Sequence, residues 1–334
     1  MEDLRQLQLS NWLIAQFSLA QCQLSPLNGD AGFRRYFRLI INNQSVIAVD
    51  SPVDKCNNAA FIYMQQQLKN AGINVPEVLA YAPEQGFMCL SDLGCEELST
   101  QLNEQNMQNY YQQAISLLPK VLKLPQDNLP IYDQEFSMLE LAIFDEWLLI
   151  KHLNIILTEQ EQIKLQACYK ILTESALEQP QAVMHRDFHS RNLMLNDNEL
   201  AVIDFQDAVV GPVTYDIVSL LRDCYVKWPS EQVLPLFEHF IELIRASGMF
   251  ESYPLTQWIK WFDLMGIQRH IKASGIFARL YHRDAKSGYL ADIPLTLSYI
   301  VENSAAYPEL TFLHDFVKDT VIPKLTIKMK EVTP

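Results

Sequence analysis

Two short apolar runs, 193–195 and 200–203, constrain this chain most, because only Asn196-Asp-Asn-Glu199 separates them. Asn and Asp tolerate left-handed backbone and bond to their own main chain, so the segment predicts a small hairpin. Its open end is polar. His185-Arg-Asp-Phe-His-Ser-Arg-Asn192 leads in, and Asp204-Phe-Gln-Asp207 leads out. Two carboxylates and an amide at one mouth suit phosphoryl transfer. That chemistry needs a base for a hydroxyl proton and oxygen ligands for Mg2+ on nucleotide phosphates. The spacing assigns Asp187 as the base and Asn192 and Asp204 as metal ligands. Asp207 falls beside them, on the substrate side. Two plainer readings compete: a chance loop, and a zinc site from His185, Asp187 and His189. Zinc wants three or four such ligands. The downstream run Gly211-Pro-Val-Thr-Tyr-Asp216 weighs against chance.

Together with Ile203-Asp-Phe-Gln-Asp207, these runs resemble the aminoglycoside-phosphotransferase superfamily, which shares the protein-kinase fold. Within it the wording is most similar to bacterial anomeric sugar kinases acting on N-acetylmuramate and N-acetylglucosamine in cell-wall recycling. Gly29-Asp-Ala-Gly-Phe-Arg-Arg-Tyr-Phe-Arg38, Tyr215-Asp-Ile-Val-Ser-Leu-Leu-Arg-Asp-Cys-Tyr225 and the run 266–280 carry the resemblance over most of the chain. It implies an α+β, two-lobed fold. Residues 1–94 would form a small antiparallel-sheet nucleotide lobe, and 95–334 a larger helical lobe with the catalytic loop and acceptor site. It implies ATP and Mg2+, with a sugar hydroxyl as acceptor. Gly29 and Gly32 would line a phosphate loop, and main-chain groups around Ser91 and Leu93 would face adenine. His185 and Asp216 would support the catalytic loop. An acceptor carboxylate would want an arginine; Arg222 and Arg269 are the candidates.

One departure stands out. Kinase-like folds place a Lys on the third strand, paired with phosphates and a helix Glu. Here that strand, Ser45-Val-Ile-Ala-Val-Asp50, has no Lys, and the helix expected over 58–70 has no acidic residue. Either nucleotide binding is lost, or another cation serves. Arg34, Arg35, Arg38 and Lys55 are near in sequence, and Arg35 is the choice made from sequence.

Further helices are expected over 1–20, 107–124, 133–153, 158–174, 231–247 and 255–283, with an irregular or short helical finish beyond 319. Hydrophobic residues at 49% with 20% charged exclude wholesale disorder. A net charge of −14 speaks against nucleic acid as a partner. No apolar run nears the roughly 20 residues a membrane helix needs. The N-terminal residues lack a basic segment followed by an apolar core, so a cytoplasmic chain with reduced cysteines is expected. No protein partner is implied. Kinases for an aminoglycoside, choline or homoserine stay open as alternatives, as does a catalytically silent nucleotide-binding module.

Overall fold

The computed structural model describes residues 3–27, 32–196, 199–250 and 253–332. The chain divides into two compact units, Met1–Gln101 with Arg191–Asp207, and Leu102–Ser190 with Ala208–Pro334.

In the first unit, β1 (Ser25–Pro26), β2 (Arg35–Ile41), β3 (Gln44–Asp50), β4 (Val78–Ala82) and β5 (Phe87–Ser91) form an antiparallel sheet ordered β1-β2-β3-β5-β4. Alternation in β2 sends Phe37, Leu39 and Ile41 inward, where they meet Leu9 and Leu13 of α1 (Leu4–Phe17). Asn42 and Asn43 turn β2 into β3 with φ of 50° and 62°, values Asn bears better than most residues. Helix α2 (Asn58–Asn70) follows an Asn57 cap whose side chain accepts from the Ala60 amide. Gly86, at φ 69°, turns β4 into β5. A Cβ there would sit 2.0 Å from the Ser51 carbonyl oxygen, so the end of β3 packs directly on that turn. A short helix, α3 (Leu98–Gln101), ends the stretch.

The hairpin expected from sequence is present, as Leu193–Asn196 paired with Glu199–Val202. The sequence boundary near residue 94 put it with the second lobe, whereas compactness groups it with the first unit. Main-chain bonds explain this: the Leu195 amide donates to Glu96, and the Val202 amide to Asn74.

The second unit is helical: α4 (Met107–Leu122), α5 (Gln134–Ile143), α6 (Glu159–Glu178), α7 (Tyr215–Leu221), α8 (Ser230–Ala246), α9 (Leu255–Asp284), α10 (Ile293–Ser304), α11 (Thr311–Phe316) and α12 (Ile322–Val332). Its core gathers Phe144, Leu148, Leu172, Ile267, Ile271, Leu297 and Leu313. The single helix expected over 133–153 instead widens into a π-helix at Phe144–His152. The widening begins where α9 presses closest. A Cβ on Gly275 would lie 2.6 Å from the Phe144 nitrogen and 2.7 Å from the Ile143 carbonyl. Beyond residue 319 the chain takes the helical of the two expected finishes, as α12, an eleven-residue helix. Gly211-Pro212 closes a strand: Val209–Pro212 pairs with Gln181–Met184. Val210 also exchanges main-chain bonds with Pro130 and Tyr132, and Pro212, which has no N–H, takes the strand's last position. All six cysteines are free. No helix among the described residues is long and apolar enough to cross a membrane.

Candidate active site

In the second unit, Gln181–Met184 delivers the loop that begins at His185. Asp216, in the first turn of α7, accepts from the backbone amides of His185 at 2.7 Å and Arg186 at 2.9 Å. Those bonds hold Arg186 at φ 77°, a conformation a bulky residue adopts only when its surroundings enforce it. The His185 ring nitrogen accepts from the Asp187 amide at 3.3 Å. Asp223, fully buried, takes the far end of the loop by accepting from the amide and hydroxyl of Ser190. Sequence reasoning missed Asp223, which lies two residues beyond the end of α7, directly after Arg222.

Behind the loop lies a buried ion cluster. Glu140, 4% exposed, accepts from Arg186 at 2.7 Å, Lys272 at 2.9 Å and the Tyr132 hydroxyl at 3.2 Å. Lys272 also donates to the Tyr215 hydroxyl at 2.9 Å. Burial pushes the Glu140 carboxyl up, but Lys272 and Arg186 outweigh it and hold it below its usual range. Glu140 is therefore no solvated helix carboxylate but a buried partner of two cations.

Asp187 feels the same field. Burial favours its neutral form, yet Lys272, His189, Arg186 and Arg269 together hold its carboxyl well below the ordinary carboxylate range. Such a group is ionised at any working pH. It is a weak base, suited to take a proton only as the hydroxyl loses it to bond formation.

The two candidate acceptor arginines part ways. Arg222, 12% exposed, pairs with Asp263 at 2.5 Å and lies 4.1 Å from the Phe262 ring centre. Its charge is met by a carboxylate within the helical unit. Arg269 is 5% exposed and lies over the Tyr215 ring, and its Nε and Nη1 have no hydrogen-bond partner among the described residues. A buried guanidinium in that state is costly until an anion meets it.

In the first unit, the Ile203 amide donates to the Asn192 carbonyl at 3.0 Å, which brings Asn192 beside Asp204. Asp204 has φ 64° and is exposed, as is Asp207. The Gln206 amide reaches Asp204 at 2.7 Å and Asp207 at 3.4 Å. Carboxylate and amide oxygens without thiolate or imidazole fit a hard cation such as Mg2+. Phe205, between the acids, is buried with its ring 5.0 Å from that of Phe61 on α2.

Of the expected nucleotide residues, Gly29 lies outside the described residues, and Gly32 adopts φ 156°. The Ser91 hydroxyl accepts from the Glu77 amide at 2.8 Å, and Leu93 packs on Met194 and Ala201. A cavity of about 310 Å³ borders this segment, lined by Lys69, Asn74, Glu77, Ser91, Asp92 and Asn196 among others. Arg35 is redirected: its guanidinium bonds to Asp50, at 2.6 Å, and to Asp3. Asp50, at the end of β3, is thereby paired with Arg35 and also with Arg5.

A sequence model described as the phosphotransferase enzyme family matches residues 23–249, and the chain belongs to that family. The chain is 37% identical to a Neisseria meningitidis serogroup B protein named N-acetylmuramate/N-acetylglucosamine kinase, over 95% of this chain and 96% of that one. A Pseudomonas aeruginosa protein of the same name is 35% identical, over 95% and 97%. Among solved structures, the choline kinase LicA from Streptococcus pneumoniae superposes with a TM-score of 0.62 at 13% identity, covering 89% of this chain and 99% of that one. ADP-bound aminoglycoside phosphotransferase APH(2'')-Ib gives 0.59 at 14% identity, covering 91% and 99%. These structural likenesses establish the kinase-like fold.

Proposed function

We propose that this chain transfers the γ-phosphoryl group of ATP to the anomeric hydroxyl of N-acetylmuramate and N-acetylglucosamine, in a cytoplasmic cell-wall recycling step. The observation that carries the reading is Asp187, a half-buried carboxylate kept ionised by the basic side chains around it, on a loop pinned by Asp216 and Asp223. The relatives' shared name supplies the acceptors.

Asp187 orients the acceptor hydroxyl and takes its proton. An anomeric hydroxyl is more acidic than an ordinary alcohol, so a weak carboxylate base suffices. Asn192 and Asp204 are assigned to Mg2+, which when bound neutralises phosphate charge, and Asp207 stands beside them on the acceptor side. Gly29, Gly32, Ser91 and Leu93 are assigned to the nucleotide. The first lobe is given the nucleotide and the second the acceptor. His185 and Asp216 act through the loop backbone.

Arg269 is assigned to the lactyl carboxylate, which N-acetylmuramate carries and N-acetylglucosamine lacks. Arg269→Gln is expected to raise KM for N-acetylmuramate about 10- to 100-fold, the size of a charge-assisted bond, and to change N-acetylglucosamine little. Steady-state kinetics on both sugars checks this, and equal losses would remove Arg269 from carboxylate recognition. The function itself is tested by 31P NMR of the product. A sugar 1-phosphate is expected. Phosphate appearing only on choline, homoserine or an aminoglycoside, or on nothing, would sink the proposal.

A further inference from the structure

The strand-borne lysine of kinase-like folds has no counterpart on β3, and the nearby cations are not equivalent. Arg5 and Arg35 pair with Asp50, Arg38 with Asp92, and Lys69 with Glu77. Of Arg34, Arg35 and Arg38, Arg34 alone has no carboxylate partner among the described residues. It is nonetheless held in place by neutral groups. Its Nε donates to the Ser51 hydroxyl at 3.0 Å, its Nη2 to the Asn57 carbonyl at 3.2 Å, and its guanidinium lies 5.6 Å from the Phe61 ring centre. Ser51 is fully buried and is itself fixed by Asn58.

The location is electrostatically odd. Asn57 is the N-cap of α2, and the first turn of that helix has no acidic residue. A helix N-terminus carries positive partial charge, so an arginine there is unfavourable unless an anion joins it. Lys55, beside the Phe33 ring, adds a second cation to the same loop, and Asp54 is the one acid within it. Phe61, the ring under Arg34, contacts Phe205, which directly follows Asp204. Through two rings, the uncompensated charge is joined to the residue assigned to Mg2+.

We propose that Arg34, with the first turn of α2, is the cation that holds the phosphate tail of the nucleotide, replacing the lysine that β3 lacks. The assignment rests on the nucleotide reading above. Its remaining guanidinium N–H groups suit phosphate oxygens, and its two neutral anchors leave the positive charge available.

The test is calorimetric titration of the full chain, with MgCl2, by ATP, ADP and adenosine. Arg34→Gln is expected to weaken ATP and ADP about 10- to 100-fold and to leave adenosine unchanged. Arg34→Lys should recover part of the loss, since charge returns without the fork. Lys55→Met serves as the comparison, with a smaller effect expected. Unchanged ATP affinity in Arg34→Gln overturns the assignment. So does equal weakening of ATP and adenosine, which marks a structural role, or a loss carried by Lys55→Met instead. A wild-type chain that binds no nucleotide removes the nucleotide reading and Arg34 with it. Wild-type binding that Arg34→Gln leaves intact removes Arg34 alone.

Discussion

Asp187→Asn is expected to leave the fold in place and lower kcat by about 10²–10⁴-fold, the usual size of a general-base contribution. The substitution is nearly isosteric, and the loop is anchored by Asp216 and Asp223 rather than by the Asp187 side chain alone. An amide can still accept a hydrogen bond from the acceptor hydroxyl but cannot keep its proton. Circular dichroism checks the fold, and coupled ADP release checks the rate. Full activity would remove Asp187 from the chemistry.

The electrostatics add a pH signature. The folded-state pKa of Asp187 is depressed, with Lys272 the largest favourable influence against burial. A depressed acid contributes stability above its unfolded pKa, and that stability is lost as pH falls through the folded value. The contribution is therefore complete at neutral pH and fades only in strong acid. The same depression means that Asp187 itself gives no acidic limb to kcat near neutrality. In Asp187→Asn, the acid-side loss of stability should be shallower than in wild type. Thermal melts from pH 3 to 7 read this directly.

What the sequence made legible depended on how local the signal was. The 193–202 hairpin announces itself through two short apolar runs around a turn, which need only neighbours. Asp187, Asn192 and Asp204 could be singled out together because they lie within one short run. Long-range pairing left weaker traces. Arg35 looked like a phosphate clamp because nothing in its own segment shows that Asp50, on the next strand, would claim it. Arg222 looked available because its partner Asp263 lies 41 residues on. The π-helix at Phe144–His152 arises from contact with Gly275, more than a hundred residues away, and no periodicity within 133–153 encodes it. The strand Val209–Pro212 hid behind a Gly-Pro pair that normally punctuates a turn. Asp223 stands between Arg222 and Cys224, and nothing in that neighbourhood shows that it holds Ser190.

Glu140→Ala carries the largest stability loss expected from a single substitution. One carboxylate compensates two buried cations, and the tie spans Glu140, Arg186 and Lys272 on three separate segments. Removing it takes from Arg186 and Lys272 the carboxylate they both bond, in a largely desolvated cluster, which costs about 3–5 kcal/mol. In a helical unit of this size that lowers Tm by on the order of 10 °C. Differential scanning calorimetry measures it, and a shift of only a degree or two would show that water reaches the cluster. The charge imbalance, more than the lost contacts, is the reason for the size. A double variant, Glu140→Leu with Lys272→Met, removes one charge of each sign and should recover part of the loss. The activity of that double variant then reports on a separate question. Lys272 is the strongest single influence holding Asp187 ionised, so its removal lets burial lift the Asp187 carboxyl toward its ordinary range. Stability would return while kcat acquires an acid limb that wild type lacks. A double variant that regains stability with an unchanged pH profile would show that Arg186, His189 and Arg269 suffice to keep Asp187 charged.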